Sequence, residues 1–261
     1  MRNFYLKGFL CLTIGLLLSS CGEKKTSVDD GLKFGNFSYD VIAQIADEDT
    51  VAGDGGAYCR VSGQGVLPEK IGSLDITELR DSLIRLAEII VVNKDLTQPS
   101  LDEELSLTDK NPDQTEACSV MVNELSICLI TPQLVVWRDY SYSYPCGAAH
   151  GMFSTTYVNY SLIKGSILSL ADIFGSDYKE KLAGLIRQKI KDQNVTLLVE
   201  PEEISVPSDF RITTGSIEFL FSLYEIAPYS EGEVKVELSR YEIEDLFLPG
   251  MEETIYGLNY D

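Results

Sequence analysis

Tyr140, Tyr142 and Tyr144 recur at every second position of QLVVWRDYSYSY. That spacing gathers three rings on one side of a strand and scatters them around a helix, because side chains alternate between the faces of a strand with period two. Trp137, Asp139, Ser141 and Ser143 then point the other way. Pro145 ends the run, and Gly147 and Gly151 allow a sharp bend around His150, the single histidine of 261 residues. A tyrosine row of this kind serves either as a sugar-stacking or protein-binding face or as a half-buried sheet face with its hydroxyls in water. The second reading is preferred on residue type alone.

Most other segments read as strands too: AYCRVSGQGV, ACSVMV, LSICLI, MFSTTYVNYSLI, FRITT, IEFLFSLYEIA and EVKVEL. Lys164-Gly165 marks a hairpin turn between YVNYSLI and ILSL. Two helices stand out. Asp75 with Glu78 three residues on resembles a capping box, followed by a stripe of Leu79, Leu83, Leu86 and Ile90. The second helix starts near Ser176 and carries Leu182, Leu185, Ile186 and Ile190 on one face. TQPSLDEELSLTDKNPDQ is polar and proline-punctuated and reads as a surface loop near a module boundary. Strands grouped apart from a few helices, without βαβ alternation, predict an α+β fold: antiparallel sheets with packed helices in two α/β modules, residues 34–132 and 133–261.

The N-terminus predicts where the chain resides. Arg2 and Lys7 precede an apolar run from Gly8 to Leu18, too short to span a bilayer and arranged like a secretory signal peptide over residues 1–20. Leu18-Ser19-Ser20-Cys21 resembles a bacterial lipobox, which makes Cys21 the lipidation site and residues 21–33 a flexible tether. Each buried CH₂ of the acyl chains contributes about 0.8 kcal/mol to membrane anchoring. Gly22 follows Cys21 where an aspartate would favour inner-membrane retention, so the expected location is the cell envelope, lipid-anchored to the outer membrane on its periplasmic or surface face. Removing residues 1–20 takes Arg2 and Lys7 from the 21 basic residues and moves the formal net charge from −20 to −22. Nucleic acid and anionic lipid surfaces are poor partners for such a field, and basic proteins are steered toward it.

Of the six cysteines, Cys59, Cys118, Cys128 and Cys146 would reach an oxidising compartment and are disulfide candidates. Cys118 and Cys128 flank Asn123 symmetrically, so a hairpin there would place them opposite each other, leaving Cys59 for Cys146. No CxxC spacing marks a redox or zinc site. His150 is a conceivable general base, with Asp172 or Glu225 as partner, but no GxSxG, HExxH or P-loop accompanies it. Ser161-Leu-Ile-Lys164 matches SxxK only by running into the hairpin turn. Asp102, Glu103 and Glu104 lack the spacing of a calcium loop. No metal or cofactor is expected, and a histidine hydrogen-bonded at a strand end is preferred over a catalyst.

Three motifs then appear in order: Tyr144 with Gly147-Ala148-Ala149-His150-Gly151; Asn159-Tyr160, Gly165 and Leu168-Ser169-Leu170-Ala171-Asp172-Ile173-Phe174; and Tyr224-Glu225-Ile226-Ala227-Pro228-Tyr229 with Gly232 and the strand Glu233–Leu238. This C-terminal half resembles the extracytoplasmic domain shared by RsiV-type anti-sigma factors and PdaC-type peptidoglycan deacetylases, catalogued as domain of unknown function 3298. The N-terminal half resembles its companion module more loosely. The resemblance implies an α+β fold, a fold-defining role for the segment around His150, and, through the RsiV-type members, binding of lysozyme outside the cell. This chain carries neither the transmembrane helix and sigma-binding segment of the one type nor the deacetylase domain of the other. The expectation is therefore a non-catalytic envelope protein that binds a macromolecule, with a basic lysozyme-like protein first, peptidoglycan or another glycan second and a cell-wall hydrolase last. Candidate binding residues are Tyr140, Tyr142, Tyr144, His150, Tyr224 and Tyr229.

Overall fold

A computed structural model describes residues 31–45, 58–87, 105–107, 119–175 and 177–257. The signal peptide, Cys21, Ile90, Asp102–Glu104, Cys118 and Ser176 lie outside the described residues. No helix among the described residues is long and apolar enough to cross a membrane.

Two sheets carry the α+β fold. The larger has seven strands in the order β3-β1-β2-β4-β5-β6-β7: β1 Leu32–Ile45, β2 Tyr58–Ile71, β3 Leu105–Leu107, β4 Ser119–Ile130, β5 Leu134–Tyr144, β6 Met152–Ser161 and β7 Ser166–Ile167. Its pairings are antiparallel except β2 with β4, which run parallel. The alternation along β5 decides what each face packs against. Val135 and Trp137 join Leu67, Leu125, Val158 and Tyr160 beneath helix α1 (Thr77–Leu86), which buries Leu79 and Leu83. The Trp137 indole N–H donates to the Val66 carbonyl at 3.2 Å, so a wholly buried tryptophan keeps its polar atom satisfied. Leu134, on the opposite face, belongs to the second core.

That core packs the helices that follow β7, with Leu134, against a three-stranded antiparallel sheet, β8 Asp209–Ile212, β9 Ser216–Phe221 and β10 Val234–Ser239, in the order β10-β9-β8. The stretch LSLADIF forms the short helix α2 (Leu170–Phe174). Its Ser169 side chain accepts from the Asp172 N–H while the Asp172 carboxylate receives the Ser169 N–H. Helix α3 (Lys179–Gln193) adds Leu182, Ala183, Ile186 and Ile190 to the core, with Leu185 partly buried. Helix α4 (Met251–Tyr256) closes the chain's described end and buries Met251 and Ile255.

One buried amide stitches the two sheets together. Asn159 on β6 donates from Nδ2 to the Phe210 carbonyl and accepts the Ile212 N–H at Oδ1, both at 2.8 Å. The side chain thus pairs with β8 as a strand's backbone would.

Several expectations change. SVMVNELSICLI is one continuous strand, not a hairpin about Asn123; Asn123 is buried and donates to the Tyr39 hydroxyl at 3.3 Å. The chain turns instead at Thr131, whose hydroxyl accepts from the N–H groups of Gln133 and Leu134. Cys118 and Cys128 therefore do not face each other across a hairpin, and both expected disulfide pairings fall, because Cys59 and Cys128 are free thiols. Cys128 sits in a β-bulge between Ile127 and Leu129. The polar stretch read as a loop contains β3, and β1 begins at Leu32, within the stretch read as tether. The boundary drawn at 132/133 falls in the turn joining β4 to β5, adjacent strands of one sheet. The Lys164-Gly165 hairpin forms as expected: Gly165 has φ 67°, and Ser161 of the SxxK match is buried with its hydroxyl accepting the Lys164 N–H.

Candidate functional site

The alternation of β5 places Tyr140, Tyr142 and Tyr144 on one half-buried face. Past Pro145 the chain makes the anticipated bend. Gly147 adopts φ 72°, the Ala148 N–H donates to the Pro145 carbonyl, and the Tyr144 hydroxyl donates to the Ala148 carbonyl at 2.9 Å. Gly151 is required by a close approach: any Cβ there would collide with the Tyr142 ring.

The bend delivers His150 to the surface. Its Nδ1 lies 3.0 Å from the Gly151 carbonyl; a carbonyl only accepts, so Nδ1 carries the proton and Nε2 faces the Tyr224 hydroxyl at 3.4 Å. The imidazole stacks on Tyr229 with centroids 4.1 Å apart. Tyr229 also donates its hydroxyl to the Gly151 carbonyl at 2.9 Å, so one carbonyl receives both groups. Tyr224 reaches this position from a left-handed backbone, φ 63°, uncommon for a bulky residue and found where surrounding structure enforces it.

The rings continue outward. Tyr224 lies 5.9 Å from Tyr229, Tyr229 is edge-on to Phe153 at 6.2 Å, and Phe153 is 6.4 Å from Tyr140, over which the Arg138 guanidinium sits at 5.9 Å. Residues from the first and third of the three sequence motifs therefore meet, with Phe153 and Tyr140, in one aromatic patch. Of the sequence candidates, His150, Tyr224 and Tyr229 touch directly, Tyr140 joins through Phe153, and Tyr142 and Tyr144 support the bend. Sequence reasoning missed Phe153; the alternation of MFSTTYVNY, which puts it on the same face as Thr155 and Tyr157, is the signal that could have found it.

Carboxylates stand beside the patch. Glu233 accepts the Thr155 N–H at 2.6 Å, and Glu225 accepts the Ser222 N–H at 2.8 Å. Burial pushes the Asp209 carboxyl above its ordinary range; the Tyr157 backbone N–H opposes this, and Glu225 and Glu233 reinforce it. Asp172 is bound up in the α2 cap, where the Ser169 hydroxyl and N–H hold its carboxyl low. The two carboxylates considered as partners for a catalytic His150 thus cap turns of their own. Among the described residues no group of three or more His, Cys, Asp or Glu side chains is placed to hold a metal ion. The arrangement suits stacking and hydrogen bonding: flat ring faces, phenol hydroxyls and an imidazole edge at the surface.

Comparison with known proteins adds the following. Residues 171–241 match the family described as "Protein of unknown function (DUF3298)". The match takes in Tyr224 and Tyr229 and leaves out the segment around His150. A solved DUF3298 family member from Bacteroides fragilis shares 21% identity at a TM-score of 0.59, over 85% of this chain and 97% of that one. A DUF3298 family protein from Pseudomonas aeruginosa shares 16% identity at a TM-score of 0.55, over 86% of this chain and 98% of that one. At these identities the likeness is one of fold. No curated protein matches the chain.

Proposed function

We propose that this chain is a non-catalytic, lipid-anchored protein of the bacterial envelope that binds a macromolecule through the aromatic patch, with a basic, lysozyme-like protein as partner. The observation that carries the reading is the convergence of His150, Tyr224 and Tyr229 from distant parts of the chain into one stacked, solvent-facing group. Tyrosines supply large, rigid contact area at low entropic cost, which is why they dominate the energetic centres of interfaces. A formal net charge of −20 and the carboxylates beside the patch would draw a basic partner to it. Export and acylation at Cys21 rest on the sequence of the N-terminus.

A glycan ligand is the second reading, favoured by the ring row from Tyr140 through Phe153 to Tyr229. A wall hydrolase built on His150 is the last, since Asp172 and Glu225 are committed elsewhere.

The test is binding of the soluble chain from Thr26 onward to a C-type lysozyme, with an unrelated protein of equal basicity as control, at low and high salt. Selective binding that survives salt is expected, and Tyr229→Ala weakens it about tenfold or more, a loss of roughly 1.4 kcal/mol or above. Binding to both proteins that vanishes with salt reports long-range charge alone and overturns the lysozyme reading in favour of a glycan.

A further inference from the structure

The directions of the strands give the large sheet two distinct ends. Strand β2 runs parallel to β4, β4 antiparallel to β5 and β5 antiparallel to β6, so β2, β4 and β6 point the same way. Strand β1 enters where β2 ends, with Leu32 opposite Ile71. The aromatic patch belongs to the end where β6 starts, at Gly151 and Phe153. A run of contacts crosses the opposite end. The Gly72 N–H donates to the Gly31 carbonyl at 2.6 Å, and Leu74 lies against Gly165. The Leu162 N–H then donates to the Gln133 carbonyl at 2.8 Å, in the turn that follows Ile130. Two large apolar side chains stand out of this end, Ile163 at 63% exposure and Ile130 at 42%. Exposed lysines accompany them, Lys164 next to Ile163 and Lys70 one position before the end of β2. Lys33 pairs with Glu69 at 2.5 Å, and Asp75 and Glu78 stand at the start of α1. Mixed charge around exposed isoleucines sets this end apart in a chain of net charge −20.

We propose that this end is a membrane-facing surface: Ile130 and Ile163 rest in the headgroup region of a zwitterionic bilayer, and the aromatic patch points away from it. The inference rests on acylation at Cys21, part of the function proposed above. Its geometric support is the place where the described fold begins. Gly31 lies at this end, ten positions after Cys21. Ten residues reach at most about 36 Å, so an acylated Cys21 keeps this end within that distance of the lipid. Such tethering raises the effective concentration of the surface, and contacts too weak to hold a free protein then decide its orientation. Isoleucines enter the boundary between headgroups and acyl chains, while lysine ammoniums reach lipid phosphates and carboxylates meet choline or ethanolamine. The acidity of the whole chain disfavours a surface rich in anionic lipid. Strand β6, ten residues from Met152 to Ser161, sets the patch about 30 Å above the lipid, within reach of a soluble macromolecule. This orientation holds whatever the aromatic patch binds.

Quenching of tryptophan emission by brominated lipid tests it. The chain from Gly22 onward is held by an N-terminal histidine tag on phosphatidylcholine vesicles containing a nickel-chelating lipid. Bromines on the upper acyl chains lie about 5–10 Å deep, and the same vesicles without bromine are the reference. Trp137 is buried and gives a constant background. Ile163→Trp and Ile130→Trp put reporters at the near end, and Met152→Trp puts one at the far end; all three positions are exposed, so the fold tolerates them. The near-end reporters are expected to be quenched at least about twofold more strongly than Met152→Trp. Equal quenching at both ends, stronger quenching of Met152→Trp, or none at any position overturns the proposal. The tag stands in for the acyl chains, so this result does not depend on acylation. The mass of the full chain extracted from membranes of a bacterial host reports acylation separately. A chain without diacylglycerol overturns the anchored reading, and the quenching still judges the surface by itself.

Discussion

Asn159 shows what one residue does for two sheets. Its amide satisfies a carbonyl and an N–H of β8 in a site without solvent access, and no other side chain of similar size both donates and accepts in that geometry. Asn159→Leu keeps the volume and strands both backbone groups, at about 1–3 kcal/mol for each. A loss of unfolding free energy of that order, read as a lower urea midpoint with an unchanged slope, is the expected result; Asn159→Asp does not restore it, because a carboxylate cannot donate to Phe210. Residues of this kind are legible in the sequence only as a motif. The Asn159-Tyr160 pair can be seen, but its partners lie some fifty positions away and follow no local period. The aromatic patch divides the same way. Alternation reveals the Tyr140, Tyr142 and Tyr144 face, whereas the stack of His150 on Tyr229 depends on how a later loop folds back. The cysteines mislead for a related reason: symmetric spacing about Asn123 suggests a hairpin, and a parallel neighbour, β2, straightens that segment into a single strand.

At the scale of elements, the turn after β10 is a local device with a long-range tie. Glu242 accepts the Ser239 N–H and hydroxyl, both at 2.8 Å, while its other oxygen meets Lys189 of α3 at 2.7 Å. The lysine first, then the two serine donors, pull its carboxyl down to about 2 from 4.5. A depressed carboxyl contributes stability above the unfolded value and loses it as the pH falls toward the folded one. Glu242→Gln should therefore be less stable than the wild type above pH 4.5, with the difference fading between there and about pH 2. The site is open to water, so the neutral-pH loss is held under about 1 kcal/mol by screening, and it should shrink further in high salt. Helical stripes make α1 and α3 readable in advance, because that signal is local; the capping box expected at Asp75 and Glu78 does not form, since the helix starts after Ile76 and Asp75 only accepts the Thr77 N–H. Strand β1 is not, since LKFGNFSYDVIAQI alternates weakly and follows a charged, tether-like stretch; its long antiparallel pairing with β2 defines it.

At the scale of the whole molecule, the large sheet runs across the boundary between the two expected modules. Strand β5 pairs with β4 along nearly its full length, and Val135, Trp137, Val158 and Tyr160 share their core with Leu67, Leu79, Leu83 and Leu125 from before the turn. A fragment comprising residues 133–261 would keep α3 and the three-stranded sheet while baring one edge of β5 and the apolar face beneath α1. Unpaired edges and bared apolar faces promote association, so this fragment is expected to be poorly soluble and to bind hydrophobic dyes. The chain's single tryptophan makes the test clean, because Trp137 has no solvent exposure in the full fold and lies on that face. Its emission should shift to longer wavelength in the fragment. In the full chain, tryptophan emission and far-ultraviolet circular dichroism should report one coincident unfolding transition. A fragment with buried-type emission and its own cooperative transition would mean that the C-terminal half closes a core alone. The sheet's continuity across the turn would then be an attachment between two domains and not the basis of one.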